Sequence, residues 1–147
     1  MSREALRFES CDAVPPEAAA LVDAGLTEAN AAAAPLHEVR PLACFARAAD
    51  GAVVGGAVGR TWGECCELQQ LWVAPARRGA GAGRELLRRF EAAARARGCR
   101  QVYLETFSFQ APGFYRREGY TTLNEIAGFG HGIVKYLLLR RLPLPRP

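Results

Sequence analysis

The sequence has few of the features that would direct it to a membrane, a secretory route or a metal site. No window contains the roughly 18 uncharged apolar residues that a membrane-spanning helix requires. No signal-peptide pattern precedes the first cysteine, Cys11. The five cysteines are odd in number and lack C-x-x-C spacing, which argues against a zinc site. We therefore expect a cytoplasmic protein that needs no metal and whose cysteines are mostly small buried hydrophobic residues.

Lysine is almost absent, since Lys135 is the only one and nearly all of the basic residues are arginines. The formal net charge is +4. The arginines are spread over predicted helix faces and are not interleaved with aromatic residues, so we do not expect a nucleic-acid partner. An arginine-rich nucleic-acid binder remains a minor alternative, which steeply salt-dependent DNA affinity would reveal.

The length and composition are those of one globular domain. The chain has 147 residues, of which 50% are hydrophobic and 23% are charged. A chain of this size can bury roughly two-thirds of its unfolded surface. There is no internal repeat and no shift in composition, so we predict a single domain over residues 1–142 and a loose proline-rich tail over 143–147.

Residues 68–97 carry the strongest functional signal. A short apolar run leads into a turn with Gly79, Gly81 and Gly83, and a helical pattern follows. A strand that passes through a glycine-rich turn into a helix is a common phosphate-binding arrangement, because the first helical amides lack intrahelical partners and glycines allow close approach. Arginines that suit phosphate oxygens surround the turn: Arg77, Arg78, Arg84 and Arg88. The alternative is a flexible alanine-glycine connection with solvated arginines.

Two motifs identify the kind of phosphate ligand. The turn lacks the Lys-Ser/Thr ending of a nucleotide-binding P-loop, and its glycines do not follow G-x-G-x-x-G. Residues 78–83 match R-x-x-G-x-G, which resembles the acetyl-CoA pyrophosphate loop of the GNAT N-acetyltransferases. Residues 112–120, PGFYRREGY, resemble the F-Y-x-x-x-G-F/Y element of the same superfamily. The resemblance covers roughly residues 40–142.

The resemblance implies the GNAT fold, an α/β architecture with a mixed central sheet of about seven strands flanked by helices. Hydrophobic periodicity and turn signals predict compatible elements. The predicted strands are 4–9, 39–48, 53–62, 65–73, 101–107, 120–126 and 132–139. The predicted helices are 17–34 (broken at Gly25), 81–97 and 111–118. Because the strand–helix–strand order makes a right-handed crossover, strand 101–107 should lie parallel to 65–73.

The resemblance also implies acetyl-CoA as acyl donor, with no metal. In this superfamily the two parallel strands separate beside residues 71–73, which leaves backbone N–H groups free for the donor. Many members carry N-x-x-A before the tyrosine motif, whereas this chain has residues 108–111, SFQA, so either Ser108 or Gln110 takes the place of the asparagine. The cofactor-binding residues expected are Leu71, Trp72, Val73, Arg78, Gly79, Ala80, Gly81, Ala82, Gly83, Arg84, Ser108 and Tyr115.

Two side chains are the candidates for acid–base catalysis. Tyr115 matches the catalytic tyrosine of the superfamily, and a phenol of pKa about 10 is a suitable proton donor to a departing thiolate. The alternative is an aromatic residue of the helix core. Glu67 is the preferred base, because period two places it on the same face of its strand as Leu71 and Val73. Glu105 is the second choice, and a solvated strand start is the alternative for Glu67.

These expectations combine into one functional hypothesis. We expect an N-acetyltransferase that transfers the acetyl group directly to a primary amine in a ternary complex, without a cysteine acyl-enzyme. The acceptor is a small molecule or a peptide, the membrane plays no part, and a homodimer is compatible with the sequence. Carboxylates suited to a cationic amine are Glu28, Glu38, Glu67, Glu105 and Glu125. The alternative is a non-catalytic acyl-CoA-binding or regulatory module with the same fold.

Overall fold

The computed structural model describes residues 4–143 and divides the chain into two compact units after His37. In the first unit, α1 spans Pro16–Ala33 and begins with proline at its first position, where no amide partner is lost. The helix runs through Gly25 without interruption, so the predicted break is wrong. A single glycine costs a helix only about 1 kcal/mol relative to alanine, and the surrounding residues are alanine-rich.

The predicted first strand, residues 4–9, is not formed. These residues have no regular structure, and the side chains of Leu6 and Phe8 are 80% and 87% exposed. An alternating pattern becomes a strand only where a neighbouring strand accepts its backbone hydrogen bonds. The predicted loose tail lies outside the described residues, apart from Pro143.

The second unit is a six-stranded mixed sheet with its helices, and the sheet order is β1-β2-β3-β4-β6-β5. The predicted α/β fold is therefore confirmed with about one strand fewer than expected. Strands β3 and β4 are parallel, as predicted, and every other neighbouring pair is antiparallel. The elements are β1 Arg40–Arg47, β2 Val53–Trp62, β3 Cys65–Val73, α2 Ala82–Ala96, β4 Gln101–Phe107, α3 Pro112–Arg117, β5 Thr121–Ile126 and β6 Lys135–Arg141.

Helix α2 packs its apolar face on the sheet to make the core. Leu87, Phe90 and Ala94 are fully buried on this helix, as the periodicity predicts. Complete burial of a side chain such as Leu or Phe contributes roughly 1.5–3 kcal/mol. Gly59 on β2 is required by this contact, because a Cβ atom there would collide with the Glu67 carbonyl oxygen and the Phe90 ring.

One polar residue of α2 is also buried. The i,i+4 spacing of Glu85 with Arg89 and of Glu91 with Arg95 predicts two ion pairs on exposed faces of α2. The exposure of Glu91 is only 3%, however, and its carboxylate faces other partners. The hydroxyl of Tyr120 donates to it at 3.0 Å, and Nη1 of Arg140 donates to both of its oxygens at 2.7 and 2.8 Å. The prediction was wrong because Glu91, four residues after Leu87 and three before Ala94, lies on the buried face of α2. The predicted pair between Glu85 and Arg89 is confirmed at 2.8 Å.

A bulge changes the side of the sheet to which the side chains of β3 point. Val58 on β2 pairs with Gln70 and Gly59 pairs with Leu68, so Gln69 is an extra residue on β3. An extra residue reverses the alternation on either side of it. Leu68 and Leu71 consequently pack into the same core cluster, although they are three residues apart.

Candidate active site

A cleft of about 1210 Å³ opens where β3 and β4 part. The two strands pair only at Cys65 with Gln101, Cys66 with Val102, and Glu67 with Tyr103. Beyond Glu67, the edge of β3 that faces β4 has no strand partner within residues 4–143. The lining comes from β3, the glycine turn with the start of α2, β4, and the stretch around α3: residues 68–73, 77–79, 81–84, 104–106, 109–111, 114, 115 and 117.

The glycine turn gives one end of the cleft an open row of amides. Gly79 and Gly81 have φ angles of 83° and 86°, a left-handed conformation that L side chains rarely adopt. Apart from the adjoining residues of the chain, no atom of residues 4–143 lies within 4 Å of a Cβ built on either glycine, so the space above them is open. Gly81 is followed at once by α2, and no side chain caps that helix start. The turn can therefore present unpartnered N–H groups to an anion.

The arginines beside the turn are held by specific contacts. Nε of Arg78 donates to the Val73 carbonyl at 2.8 Å, which ties the turn to the end of β3. Arg84 pairs with Glu118 at 3.2 Å, which ties the start of α2 to the end of α3. Arg77 and Arg117 also line the cleft. A cleft that combines an open glycine turn with four arginines in its lining fits a ligand that carries several phosphates, such as coenzyme A.

Tyr115 also lines the cleft and lies on α3. Its ring packs edge-to-face on Phe114 and on Tyr120, with centroids 5.2 and 5.8 Å apart. Burial raises the pKa of Tyr115 to about 12, so the phenol keeps its proton throughout the neutral range. The residues described supply no hydrogen-bond partner for its hydroxyl, yet they include no enclosed side-chain polar atom without a partner. The hydroxyl therefore reaches solvent, and Tyr115 is part of the cleft wall.

Glu67 does not share a face with Leu71 and Val73, contrary to the sequence argument. The bulge at Gln69 places Leu71 on the α2 side of β3 together with Leu68, whereas Glu67, which precedes Leu68, faces the other side of the sheet. There its Oε2 accepts hydrogen bonds from Nε of Arg60 at 3.0 Å and from the Tyr103 hydroxyl at 3.2 Å. Glu67 adjoins the cleft through Leu68 but is not part of its wall.

Two further expected residues stand apart from the cleft. Ala80 is not in its lining, and Ser108 is occupied elsewhere. The Ser108 hydroxyl accepts a hydrogen bond from the Val134 amide at 3.0 Å, and the Ser108 amide donates to the Val134 carbonyl at 2.8 Å. Gln110 does line the cleft, and its carboxamide oxygen accepts hydrogen bonds from the Phe107 amide at 2.8 Å and the Thr106 hydroxyl at 3.2 Å.

The other expected contacts come together in the cleft: Leu71, Trp72, Val73, Arg78, Gly79, Gly81, Ala82, Gly83, Arg84 and Tyr115. Glu105 lies there too and is paired with Lys135 at 2.6 Å. Sequence reasoning missed Arg117 and Phe109, which also line it. Arg117 stands inside the tyrosine motif, three residues after Phe114, and that spacing on a helix was the available signal.

The cysteines are poorly suited to nucleophilic chemistry. Burial raises the pKa of the thiols of Cys44 and Cys99, and that of Cys66 rises to about 12. A thiol held in its neutral form is a weak nucleophile. None of the five cysteines contributes to the cleft lining. Within residues 4–143, no helix has the length and apolar character needed to cross a membrane.

Comparisons with known proteins point to one family. Residues 9–120 match the sequence model of the acetyltransferase (GNAT) family. The chain is 41% identical over 112 residues to blasticidin-S acetyltransferase of Streptomyces morookaense, covering 74% of this chain and 82% of that relative. It is 32% identical over 127 residues to an acetyltransferase of Agrobacterium fabrum, covering 86% and 93%. The crystal structure of an acetyltransferase from Agrobacterium tumefaciens superposes with a TM-score of 0.78 at 31% identity, covering 93% and 100%.

Proposed function

Because this chain belongs to the GNAT acetyltransferase family, we propose that it transfers the acetyl group of acetyl-CoA to a primary amine of a small molecule. The enzymes of this family use acetyl-CoA. The observation that carries the proposal is the cleft itself, which brings the glycine turn, with open space above it, and Tyr115 into one lining.

The glycine turn and its arginines form the donor site in this proposal. The amides at the start of α2 and the guanidinium groups of Arg78 and Arg84 hold the phosphates. The unpaired edge of β3 at residues 71–73 binds the amide-containing arm of the donor as an added strand would. One N–H group of this edge orients the thioester carbonyl, and loss of such a donor costs on the order of 3 kcal/mol.

Tyr115 is the general acid of the proposed reaction. When bound, acetyl-CoA supplies an acetyl group on a thioester whose sulfur leaves as a thiolate. The Tyr115 hydroxyl gives that sulfur its proton, and burial keeps the phenol protonated because it raises the pKa to about 12. The C–N bond to the acceptor forms as the C–S bond breaks, without an acyl-enzyme.

Glu67 is the proposed general base. Glu67 and Tyr103 form the last pair before β3 and β4 separate. Glu67 therefore lies beside the start of the cleft, on the side of the sheet away from α2. Its side chain is 24% exposed, which leaves a route for a water or an amine to reach it. The carboxylate takes the proton that the attacking amine loses, directly or through a water.

A small-molecule acceptor is favoured over a peptide by the relationship to blasticidin-S acetyltransferase. The charge argument from the sequence is weaker than expected, because two of the five carboxylates already have cationic partners. Glu67 is paired with Arg60 and Glu105 with Lys135. We therefore expect recognition of the acceptor to depend on the shape and hydrogen bonds of its site more than on net negative charge.

A thiol-release assay tests the proposal. The protein is incubated with acetyl-CoA and a panel that contains blasticidin S, polyamines, aminoglycosides and lysine peptides, and products are identified by mass. We expect release with at least one small-molecule amine and intersecting initial-velocity lines, as a ternary complex requires. Parallel lines would indicate an acyl-enzyme, and product formed only with peptides would contradict the acceptor class. Binding of coenzyme A without release for any amine would favour a regulatory module.

A further inference from the structure

Three charged or polar side chains meet on one rung of the sheet, outside the cleft wall. Arg60 on β2 is the register partner of Glu67 on β3, and Glu67 is the register partner of Tyr103 on β4. The three side chains therefore come from three adjacent strands on the same face. Their contacts are the two hydrogen bonds to Glu67, at 3.0 Å from Arg60 Nε and 3.2 Å from the Tyr103 hydroxyl.

Both donors bind the same carboxylate oxygen. Arg60 and Tyr103 donate to Oε2 of Glu67, and no described residue donates to Oε1. A carboxylate oxygen that already accepts two hydrogen bonds is a poor proton acceptor, whereas the other oxygen keeps its lone pairs. The arrangement therefore fixes the direction of the side chain and leaves one oxygen available.

The rung also has a particular place in the fold. Glu67 and Tyr103 are the last register pair of β3 and β4, and the cleft begins with the next residue, Leu68. The Tyr103 hydroxyl thus bridges the two strands at the point where their backbone pairing ends. The Glu67 side chain is therefore held beside the start of the cleft by residues of β2 and β4, the strands on either side of β3.

We propose that Arg60 and Tyr103 are positioning residues for Glu67, which hold its carboxylate by Oε2 and direct Oε1 to the acceptor amine or its bridging water. The inference rests on the proposed function, in which Glu67 is the base. One proton passes from the attacking nitrogen, or from the water that it protonates, to Oε1 as the C–N bond forms. The proton is returned to solvent before the next turnover.

The groups that face Glu67 keep their protonation states across the neutral range. The guanidinium of Arg60 is always charged. Burial and the adjacent Glu67 carboxylate raise the pKa of Tyr103 above its ordinary value, so its hydroxyl remains a donor. The nearby thiol of Cys66 is neutral because burial raises its pKa to about 12.

Variants that remove one donor at a time test the proposal. Arg60→Met removes the charge and Tyr103→Phe removes only the hydroxyl. We expect each to lower kcat about tenfold while the KM for acetyl-CoA stays unchanged. Arg60→Lys, which keeps the charge and a hydrogen-bond donor, should restore most of the lost kcat.

Matched controls separate positioning from a purely structural role. Arg89→Met breaks an exposed ion pair with Glu85 on α2, and Tyr136→Phe removes a phenol hydroxyl from β6. Neither residue belongs to the cleft wall, so both variants should keep the wild-type kcat. Arg60 is half exposed, so Arg60→Met should fold, and thermal unfolding of every variant checks this.

Each negative result points to a different step. If Glu67→Gln abolishes turnover while Arg60→Met and Tyr103→Phe keep the wild-type kcat, the contacts of Arg60 and Tyr103 with Glu67 are ordinary surface interactions and the positioning role is wrong. If Glu67→Gln retains turnover, Glu67 is not the base and the inference fails with it. Whether the wild-type protein transfers acetyl groups is tested separately, by the thiol-release assay.

Discussion

The hydroxyl of Tyr120 donates to the buried carboxylate of Glu91 at 3.0 Å, while the ring of Tyr120 packs edge-to-face against Tyr115. The tyrosine that faces the cleft therefore rests on a second tyrosine that is fixed to α2. Arg140 of β6 completes this arrangement by binding both oxygens of Glu91. A buried network with all of its members satisfied favours a single arrangement of the helix, the sheet and the cleft wall.

Removal of Arg140 should destabilise the protein strongly. In Arg140→Met, Glu91 remains buried without its cation, and we expect a loss of about 3 kcal/mol in the free energy of unfolding. The control, Arg89→Met, breaks an exposed pair and should lose less than about 1 kcal/mol. Urea unfolding followed by circular dichroism measures both. Equal losses in the two variants would contradict a specific role for the buried network.

The elements that could be predicted from the sequence are those whose pattern is set by the local chain. The apolar spacing of Leu87, Phe90 and Ala94 predicts the buried face of α2, and the glycines at 79 and 81 predict a turn that the structure shows with positive φ. The strand–helix–strand order predicts the parallel step between β3 and β4. The first two follow from hydrophobic periodicity and backbone preference, and the third follows from the handedness of crossover connections.

What could not be predicted depends on distant partners. The predicted orientation of the Glu67 side chain relative to Leu71 was wrong because one bulge residue, Gln69, reverses the alternation of side chains along β3. The only sign of this bulge in the sequence is the pair of successive glutamines between Leu68 and Leu71. The burial of Glu91 depends on Arg140, which lies 49 residues away, and no spacing rule connects such a pair. The hydroxyl of Ser108 similarly accepts a hydrogen bond from the distant backbone amide of Val134.

Replacement of Tyr115 tests its role as the acid. We expect Tyr115→Phe to lower kcat about 100-fold and to leave the affinity for coenzyme A nearly unchanged, because only a proton donor is lost. Because burial raises the pKa of Tyr115 to about 12, its ionisation should be absent from spectroscopic titrations near pH 10 and appear near pH 12. Activity in the wild type should therefore not fall through Tyr115 ionisation below about pH 11. A large loss of coenzyme A affinity in Tyr115→Phe would instead mean a structural role.

Substitution of Gly81 tests the phosphate cradle. Gly81→Glu places a carboxylate over the amides at the start of α2, and we expect coenzyme A affinity to fall by at least about 100-fold. Gly98→Glu is the matched control, since Gly98 has a φ angle of 91°, has open space around its Cβ position and follows the far end of α2. Both substitutions carry similar backbone strain of about 1–2 kcal/mol. Isothermal titration should find normal binding in Gly98→Glu, and weak binding in both variants would attribute the effect to strain.

A comparison of Ser108 with Gln110 decides which residue takes the place of the family asparagine. The Ser108 hydroxyl already accepts the Val134 amide, so Ser108→Ala should leave the KM for acetyl-CoA unchanged and lower the free energy of unfolding by about 1 kcal/mol. Gln110→Ala should raise that KM several-fold, because Gln110 lies in the cleft wall with its oxygen fixed by Thr106 and the Phe107 amide. Steady-state kinetics at saturating acceptor measures both constants. A raised KM in Ser108→Ala with unchanged stability would mean that the serine hydroxyl leaves Val134 and binds the donor.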